Sequence, residues 1–137
     1  GQLAWCLRQD DRVVVIERTN IRHMSADRIP EAADLAVIDV SFISLRLVVP
    51  AVLKFLKPGG QILALIKPQF EVGKGKVGKG GVVRDAASRE NVINGLIEFF
   101  QELGLACGPV VPASILGPKG NQEYILRLTM QSQRPPV

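Results

Sequence analysis

Histidine and cysteine are nearly absent from this chain: His23, Cys6 and Cys107 are the only ones among 137 residues. A single histidine argues against a zinc site, and against any Ser-His or Cys-His mechanism built on another histidine. The two cysteines lie far apart without metal spacing, so they read as two buried thiols of a reducing compartment. His23 reads as a surface loop residue. No apolar run is long enough to span a bilayer, because Asp39, Lys54, Lys57 and Lys67 interrupt every candidate. No stretch of the chain reads as a signal peptide or as an internal repeat. The expectation is a cytoplasmic protein with no membrane partner and no metal. The chain opens on Gly1 without an initiator methionine, which reads equally as an excised or processed fragment and as a tag scar. Aromatic residues are scarce at 5%, so few side chains are available for stacking on bases.

Apolar residues are plentiful at 47%, with 22% charged, so one sizeable core is expected. Lys and Arg total 17 against 13 Asp and Glu, a net charge of +4. That is a mild lean toward anionic partners such as nucleic acid.

Gln2 to Arg8 reads as the end of a helix, with Leu3, Cys6 and Leu7 on one face. Three apolar runs read as buried strands: Arg12 to Glu17 (RVVVIE), Leu35 to Val40 (LAVIDV) and Gln61 to Lys67 (QILALIK). Ser44 is placed to cap a helix over LRLVVPAVLKFL. Pro50 predicts a kink or a late start in it, and Lys57-Pro58-Gly59-Gly60 predicts its end. A glycine-rich basic loop follows from Glu71 to Arg84. Asp85 caps a helix through Glu102, which Gly104 stops. Leu105 to Ala113 and Tyr124 to Met130 read as two further strands with no helix between them, hence an antiparallel pair at one edge. The tail from 131 to 137 reads as disordered. Strands alternating with helices imply a parallel α/β sheet, here a Rossmann-like one over residues 1–130.

Ligands of such sheets bind beyond the carboxyl ends of the parallel strands. Asp39 ends LAVIDV, Lys67 ends QILALIK, and Glu123 starts the last, antiparallel strand on the same rim. Each alone would pass for a solvated strand-end charge; three on one rim point to a site.

Asp39-Val40-Ser41-Phe42-Ile43-Ser44-Leu45, Ile66-Lys67-Pro68-Gln69-Phe70-Glu71, the run Val77 to Asp85 and Gly120-Asn121-Gln122-Glu123-Tyr124 together resemble the haemolysin A (TlyA-like) family. That family belongs to the FtsJ-type 2′-O-ribose methyltransferases. The resemblance covers Gly1 to about Met130, and the DVSFISL and IKPQFE pair carries it best. It implies a class I methyltransferase sheet truncated at its N-terminus, S-adenosylmethionine as cofactor and ribosomal RNA as partner. Of the family's Lys-Asp-Lys-Glu tetrad it assigns the aspartate to Asp39, the second lysine to Lys67 and the glutamate to Glu123. The first lysine, the glycine-rich cofactor loop and two strands would lie upstream of Gly1, so the chain alone is expected to be inactive. With those strands missing, RVVVIE should either pair with LAVIDV or leave an exposed edge that promotes homo-oligomers.

The implied reaction moves a methyl group from a sulfonium to a ribose 2′-hydroxyl, a poor nucleophile until its oxygen is polarised or deprotonated. Lys67 would orient that oxygen and accept or steer its proton. Proton acceptance requires a neutral lysine, which burial beside a second lysine favours, whereas Asp39 and Glu123 favour the ammonium. Those two are therefore assigned to orienting Lys67 and to the field around the cationic donor. The resemblance places Asn20, Asp39 and Val40 at the cofactor, although Thr19 and Asn20 read equally well as a turn. Lys74, Lys76, Lys79 and Arg84 give the glycine-rich loop a positive charge suited to RNA phosphates. Gly73, Gly75 and Gly78 match G-x-G-x-x-G, and Gly73, Gly78 and Lys79 approach a P-loop, but Gly80 stands where Ser or Thr would hold magnesium. A nucleotide-binding module on Gly73 to Gly80 and a membrane-active haemolysin are the competing readings.

Overall fold

A computed structural model of the chain describes residues 3–73 and 75–131. Four strands form one mixed sheet: β1 (Ala33–Ile38), β2 (Leu56–Ile66), β3 (Leu105–Pro112) and β4 (Tyr124–Met130), in the order β1-β2-β4-β3. β1 runs parallel to β2, while β4 is antiparallel to both β2 and β3. The last two strands thus pair antiparallel at an edge, as the lack of an intervening helix requires. Helices α1 (Trp5–Arg8), α2 (Leu45–Val52) and α3 (Ala86–Glu102) complete the regular structure, with short 3₁₀ turns between.

Burial alternates along the sheet with period two. Ile62, Ala64 and Ile66 of β2 and Leu126 and Leu128 of β4 are buried, and pair as Ile62 with Leu128 and Ala64 with Leu126. They form one core with Leu45, Val48, Val49 and Val52 of α2 and Leu96 and Phe100 of α3. The other face is partly open, with Ile125 41% and Val37 71% exposed. The expectation of strands buried on both sides therefore fails, since within this chain the sheet is covered on one side.

RVVVIE is not a strand. Residues 12–17 run as irregular chain, Val14 is 58% exposed, and no ladder joins them to β1. β-propensity expresses itself only where a neighbour completes the ladder. Of the two outcomes expected for this region the exposed edge is the one found: β1 pairs with β2 alone among the described residues. Lys57-Pro58-Gly59-Gly60 also departs from expectation. It does not end the helix but lies inside β2, as an irregularity between the pairs Ala33–Leu56 and Leu35–Gln61. Gly59 has φ 80°, and a Cβ on Gly60 would sit 2.8 Å from the Lys57 carbonyl oxygen, so the bulge needs both glycines. Pro50 neither delays nor stops α2, which starts at Leu45 on the Ser44 cap and gives way to a 3₁₀ turn at Leu53. Cys6 is exposed rather than buried, on a four-residue helix with no buried face. The tail beyond Gln131 lies outside the described residues.

α3 starts where Asp85 accepts hydrogen bonds from Ala87 N at 3.1 Å and Ser88 Oγ at 3.1 Å, and Gly104 leaves it at φ 86°. Asp85→Ala is expected to cost about 1 kcal/mol through loss of the cap, seen as a lower urea midpoint at unchanged slope.

Candidate active site

The parallel direction of β1 and β2 carries Asp39 and Lys67 to the same rim. The β2–β4 register, whose last pair is Ile66–Tyr124, brings Glu123 opposite Lys67. Lys67 Nζ lies 2.6 Å from Asp39 Oδ1 in an ion pair and donates to Ser41 Oγ at 3.2 Å. Its side chain is 11% exposed while that of Asp39 is 66% exposed. The ammonium is thus fixed inside and its counter-charge faces out. An ammonium has three donors; no more than two meet partners among the described residues, so at least one is left for a ligand.

Glu123 does not touch Lys67 among the described contacts. It is 5% exposed, and its Oε2 accepts from Gln69 Nε2 at 2.9 Å. The carboxylate lies directly against Gly117, where an added Cβ would fall 2.2 Å from Oε2. Gln69, itself 9% exposed, sits in a 3₁₀ turn over Pro68–Phe70 that begins immediately after Lys67. The three rim residues therefore divide into an Asp39–Lys67–Ser41 set and a Glu123–Gln69 set, joined through the short backbone from 67 to 69.

Two loops are pinned over this rim. Asn121, 3% exposed, accepts from Val83 N at 3.0 Å and donates to the carbonyls of Gly81 at 3.0 Å and Pro118 at 3.1 Å. It ties the end of the glycine-rich loop to the turn before β4. Glu71 accepts from Ser44 Oγ at 2.6 Å and from Leu45 N at 2.9 Å, fastening that loop to the start of α2. Burial pushes the Glu71 carboxyl above its ordinary range, against the opposing pull of the Ser44 and Leu45 hydrogen bonds and of Arg46. The folded chain therefore binds this proton more tightly than the unfolded one. Its stability should fall as pH rises from the ordinary glutamate value through the raised one, and level off above it. Glu71→Gln should remove that segment from the plot of Tm against pH.

Between these loops lies a pocket of about 250 Å³, lined among others by Ser41, Phe42, Gln69, Phe70, Lys119 and Asn121. Phe42 is 88% exposed, with φ 64° and its ring 4.7 Å from that of Phe70. A bulky residue held at positive φ costs roughly 1–3 kcal/mol and occurs mainly at functional sites. Phe42, Ser41, Gln69 and Gly117 were not singled out from sequence. Phe42 carries no local signal beyond its place in DVSFISL, and the others act through contacts 26 or more residues away in the case of Ser41 and Gln69.

Of the remaining candidates, Val40 is half-buried next to Asp39. Asn20 is exposed, and its side-chain oxygen accepts from Arg22 N in a 3₁₀ turn, so its turn role is realised. Lys76, Lys79 and Arg84 are exposed on the glycine-rich loop, and Lys74 lies outside the described residues. Arg84 donates to the Lys79 carbonyl at 3.0 Å.

A mixed α/β sheet with its polar side chains gathered beyond the carboxyl ends of β1 and β2 is the arrangement of a ligand-binding α/β domain. The sequence matches the FtsJ-like methyltransferase family over residues 1–130, and the chain belongs to that family. It is 48% identical over 134 residues to the 16S/23S rRNA (cytidine-2′-O)-methyltransferase TlyA of Mycobacterium tuberculosis, covering 98% of this chain and 50% of that protein. It is 38% identical over 126 residues to Hemolysin A of Brachyspira hyodysenteriae, covering 91% and 52%. A solved structure from Streptococcus thermophilus that carries the name hemolysin superposes with a TM-score of 0.91 at 39% identity, over 99% of this chain and 50% of that one. The chain spans about half the length of the curated relatives it matches.

Proposed function

We propose that the protein carrying this chain transfers a methyl group from S-adenosylmethionine to a ribose 2′-hydroxyl of ribosomal RNA, and that this stretch supplies the acceptor side of the site. The observation that carries the proposal is the ammonium of Lys67, held by the Asp39 ion pair and the Ser41 hydrogen bond with at least one N–H free among the described residues. That N–H is suited to the ribose oxygen, on which negative charge grows as its proton leaves. A preorganised donor in a poorly hydrated site stabilises such charge far better than water does. Lys67, ion-paired with Asp39, acts by orienting and polarising the oxygen, whose proton passes to solvent at the exposed side of the rim. Glu123, held by Gln69, completes the field around the rim.

The cofactor, when bound, supplies an electrophilic methyl on a positively charged sulfur. The residues fit it in part. Asp39 offers an exposed carboxylate at the end of a parallel strand, next to half-buried Val40. Asn20 has its amide N–H groups to offer, with one lone pair of its oxygen already engaged by Arg22 N. This set lacks a cradle for a whole cofactor, so the chain alone is expected to give no micromolar calorimetric isotherm with S-adenosylmethionine. Lys76, Lys79 and Arg84, and Lys74 by sequence, would meet RNA phosphates. The open edge of β1 is assigned to pairing with another strand, and size-exclusion chromatography tests whether a second copy provides it.

A nucleotide-binding module on Gly73 to Gly80 is less well supported. A phosphate loop opens directly into its helix, whereas here a 3₁₀ turn at Lys79–Gly81 and the buried Val82 and Val83 precede α3. For the membrane-active reading, no helix among the described residues is long and apolar enough to cross a bilayer.

The test is incubation of the protein in full with methyl-labelled S-adenosylmethionine and ribosomal RNA, followed by nucleoside analysis. Label in a 2′-O-methyl nucleoside is the expected result. Label confined to a base methyl, or none, would overturn the proposal.

A further inference from the structure

Among the described residues, the lining of the pocket beside Lys67 includes one charged side chain, that of Lys119. Its ammonium forms no ion pair and no hydrogen bond among those residues. The other polar side chains of the lining are committed. Ser41 accepts from Lys67, the Gln69 amide donates to Glu123, and Asn121 is engaged with Val83, Gly81 and Pro118. Phe42 and Phe70 add two aromatic rings to the wall. An unpaired cation in a wall of otherwise neutral groups is a place for an anion.

Lys119 lies in the turn Pro118–Gly120 between β3 and β4. Backbone hydrogen bonds close that turn, from Gly117 N to the Asn121 carbonyl at 2.7 Å and from Gly120 N to the Gly117 carbonyl at 3.1 Å. The Asn121 amide fastens it to the glycine-rich loop. Lys119 itself has φ 59° and ψ 19°, a left-handed conformation that glycine or asparagine adopts more readily. The fold therefore holds a lysine where the backbone favours another residue. Its Nζ lies 3.8 Å from where a Cβ on Gly81 would sit, so the ammonium stands over the end of the glycine-rich loop. Ser41, also in the pocket wall, is the hydrogen-bond partner of the Lys67 ammonium. The pocket thus borders the proposed place of the acceptor oxygen. In RNA a ribose 2′-hydroxyl comes with an anionic phosphodiester on its 5′ side and another on its 3′ side. A nucleotide seated with its 2′-oxygen at Lys67 brings a phosphate within the neighbourhood of this second cation.

We propose that Lys119 is a positioning residue for the RNA: its ammonium pairs with a phosphodiester flanking the acceptor ribose and so sets the 2′-oxygen against Lys67. The proposal rests on the methyltransferase function inferred above and deepens it. Its role differs from that of Lys76, Lys79 and Arg84, whose exposed side chains line no part of this pocket. Those charges draw in RNA along its length, whereas Lys119 fixes one phosphate relative to the reacting atom. Phosphate contacts set register and carry no sequence information, so the effect is the same whatever the target base. Loss of one charged contact weakens RNA binding by about tenfold. It also lowers the slope of log affinity against log salt by just under one. Because the contact positions the acceptor, the rate at saturating RNA falls too, by roughly ten- to a hundredfold.

The experiment uses the protein in full and its mapped target in ribosomal RNA. The RNA is assembled from two strands that meet on the 5′ or the 3′ side of the target nucleotide, with the phosphate at the junction present or omitted. Lys119→Asn removes the charge and suits the left-handed backbone. The expected result is a single-turnover rate at saturating RNA lowered about tenfold or more by Lys119→Asn and largely recovered in Lys119→Arg, with the KM for S-adenosylmethionine unchanged. Omitting the phosphate at one of the two junctions should cost the unmodified protein a similar factor and cost Lys119→Asn nothing further. That shared loss is the readout that a merely structural role would not produce. Should Lys119→Asn fail to fold, the unmodified protein decides alone: a tenfold loss on omission at one junction supports the contact, and no loss at either overturns it. Losses from Lys119→Asn and from omission that multiply at both junctions would also overturn it, as would a Lys119→Asn protein with unmodified rate and salt slope. So would a raised KM for S-adenosylmethionine with RNA affinity unchanged, which would give the ammonium to a carboxylate of the cofactor instead. Each of these outcomes leaves methyl transfer intact. Absence of any 2′-O-methylation by the unmodified protein would instead overturn the parent function, and this proposal with it.

Discussion

Lys67→Ala is expected to lower the single-turnover rate of methyl transfer by roughly two to four orders of magnitude while moving Tm by only a few degrees. The two halves of that expectation come from the same geometry. The Lys67 side chain is 11% exposed and its ammonium is held at 2.6 Å from Asp39 and 3.2 Å from Ser41, so it meets the acceptor oxygen at little further cost of ordering. Deleting it removes the one donor positioned for the charge that develops there. Deletion should not leave a buried orphan, because Asp39 is 66% exposed and returns to water. A buried ion pair broken on one side would behave differently and cost several kcal/mol. Lys67→Arg should not restore the rate, since a planar fork cannot occupy the place of a compact ammonium held between a carboxylate and a hydroxyl. A Lys67→Ala protein with the unmodified rate would remove Lys67 from the mechanism altogether.

The parts of the fold legible in the sequence are those whose cause is local. Ser44 and Asp85 cap helices because their short side chains meet the second backbone N–H beyond them. Gly104 stops α3 because it accepts φ 86°. QILALIK and YILRLTM are legible as strands from their apolar runs, though not which face of QILALIK is buried, and the lack of a crossover helix between Leu105–Pro112 and Tyr124–Met130 fixes the antiparallel edge. RVVVIE has the same local signal as these strands and no strand beside it, so it fails. Lys57-Pro58-Gly59-Gly60 carries a stop signal in any local reading, and only its register against β1 shows a bulge instead. The rim residues Asp39, Lys67 and Glu123 followed from strand direction. Their partition did not. Gln69 meets Glu123 across 54 positions, and Ser41 meets Lys67 across 26. Phe42 adopts a backbone conformation that its residue type does not suggest. Nothing short of the tertiary structure announces a glutamine whose amide is locked by a distant carboxylate.

Gly117→Ala is the second large effect expected, about a hundredfold loss of rate with a stability loss of about 1–3 kcal/mol from the displaced, buried carboxylate. Gly117 has φ −75° and ψ −172°, which alanine adopts without strain. The backbone therefore does not resist the change, and the Gly117 N–H to Asn121 carbonyl bond at 2.7 Å can persist. The new methyl meets the Glu123 carboxylate instead, at 2.2 Å from Oε2, 2.5 Å from Cδ and 3.0 Å from Oε1. Ordinary contact distance is about 3.5–4.0 Å, so the carboxylate must retreat by an ångström or more. It cannot do so and keep its 2.9 Å bond from Gln69. A displacement of about 1 Å in a positioning group is enough to cost on the order of a hundredfold. Gly95→Ala is the matched control. Its methyl would lie 2.9 Å from Arg46 Nη2, the far end of a flexible and exposed side chain, which can swing away. Alanine is also the better helix former there, by up to about 1 kcal/mol. Methyl-transfer rates and thermal melts of both variants check the pair. A Gly117→Ala protein as active as the unmodified one would mean that the position of Glu123 does not matter to the reaction. The Gln69–Glu123 pair would then be a packing feature of the rim, and Asp39, Lys67 and Ser41 would remain as the whole of the acceptor site.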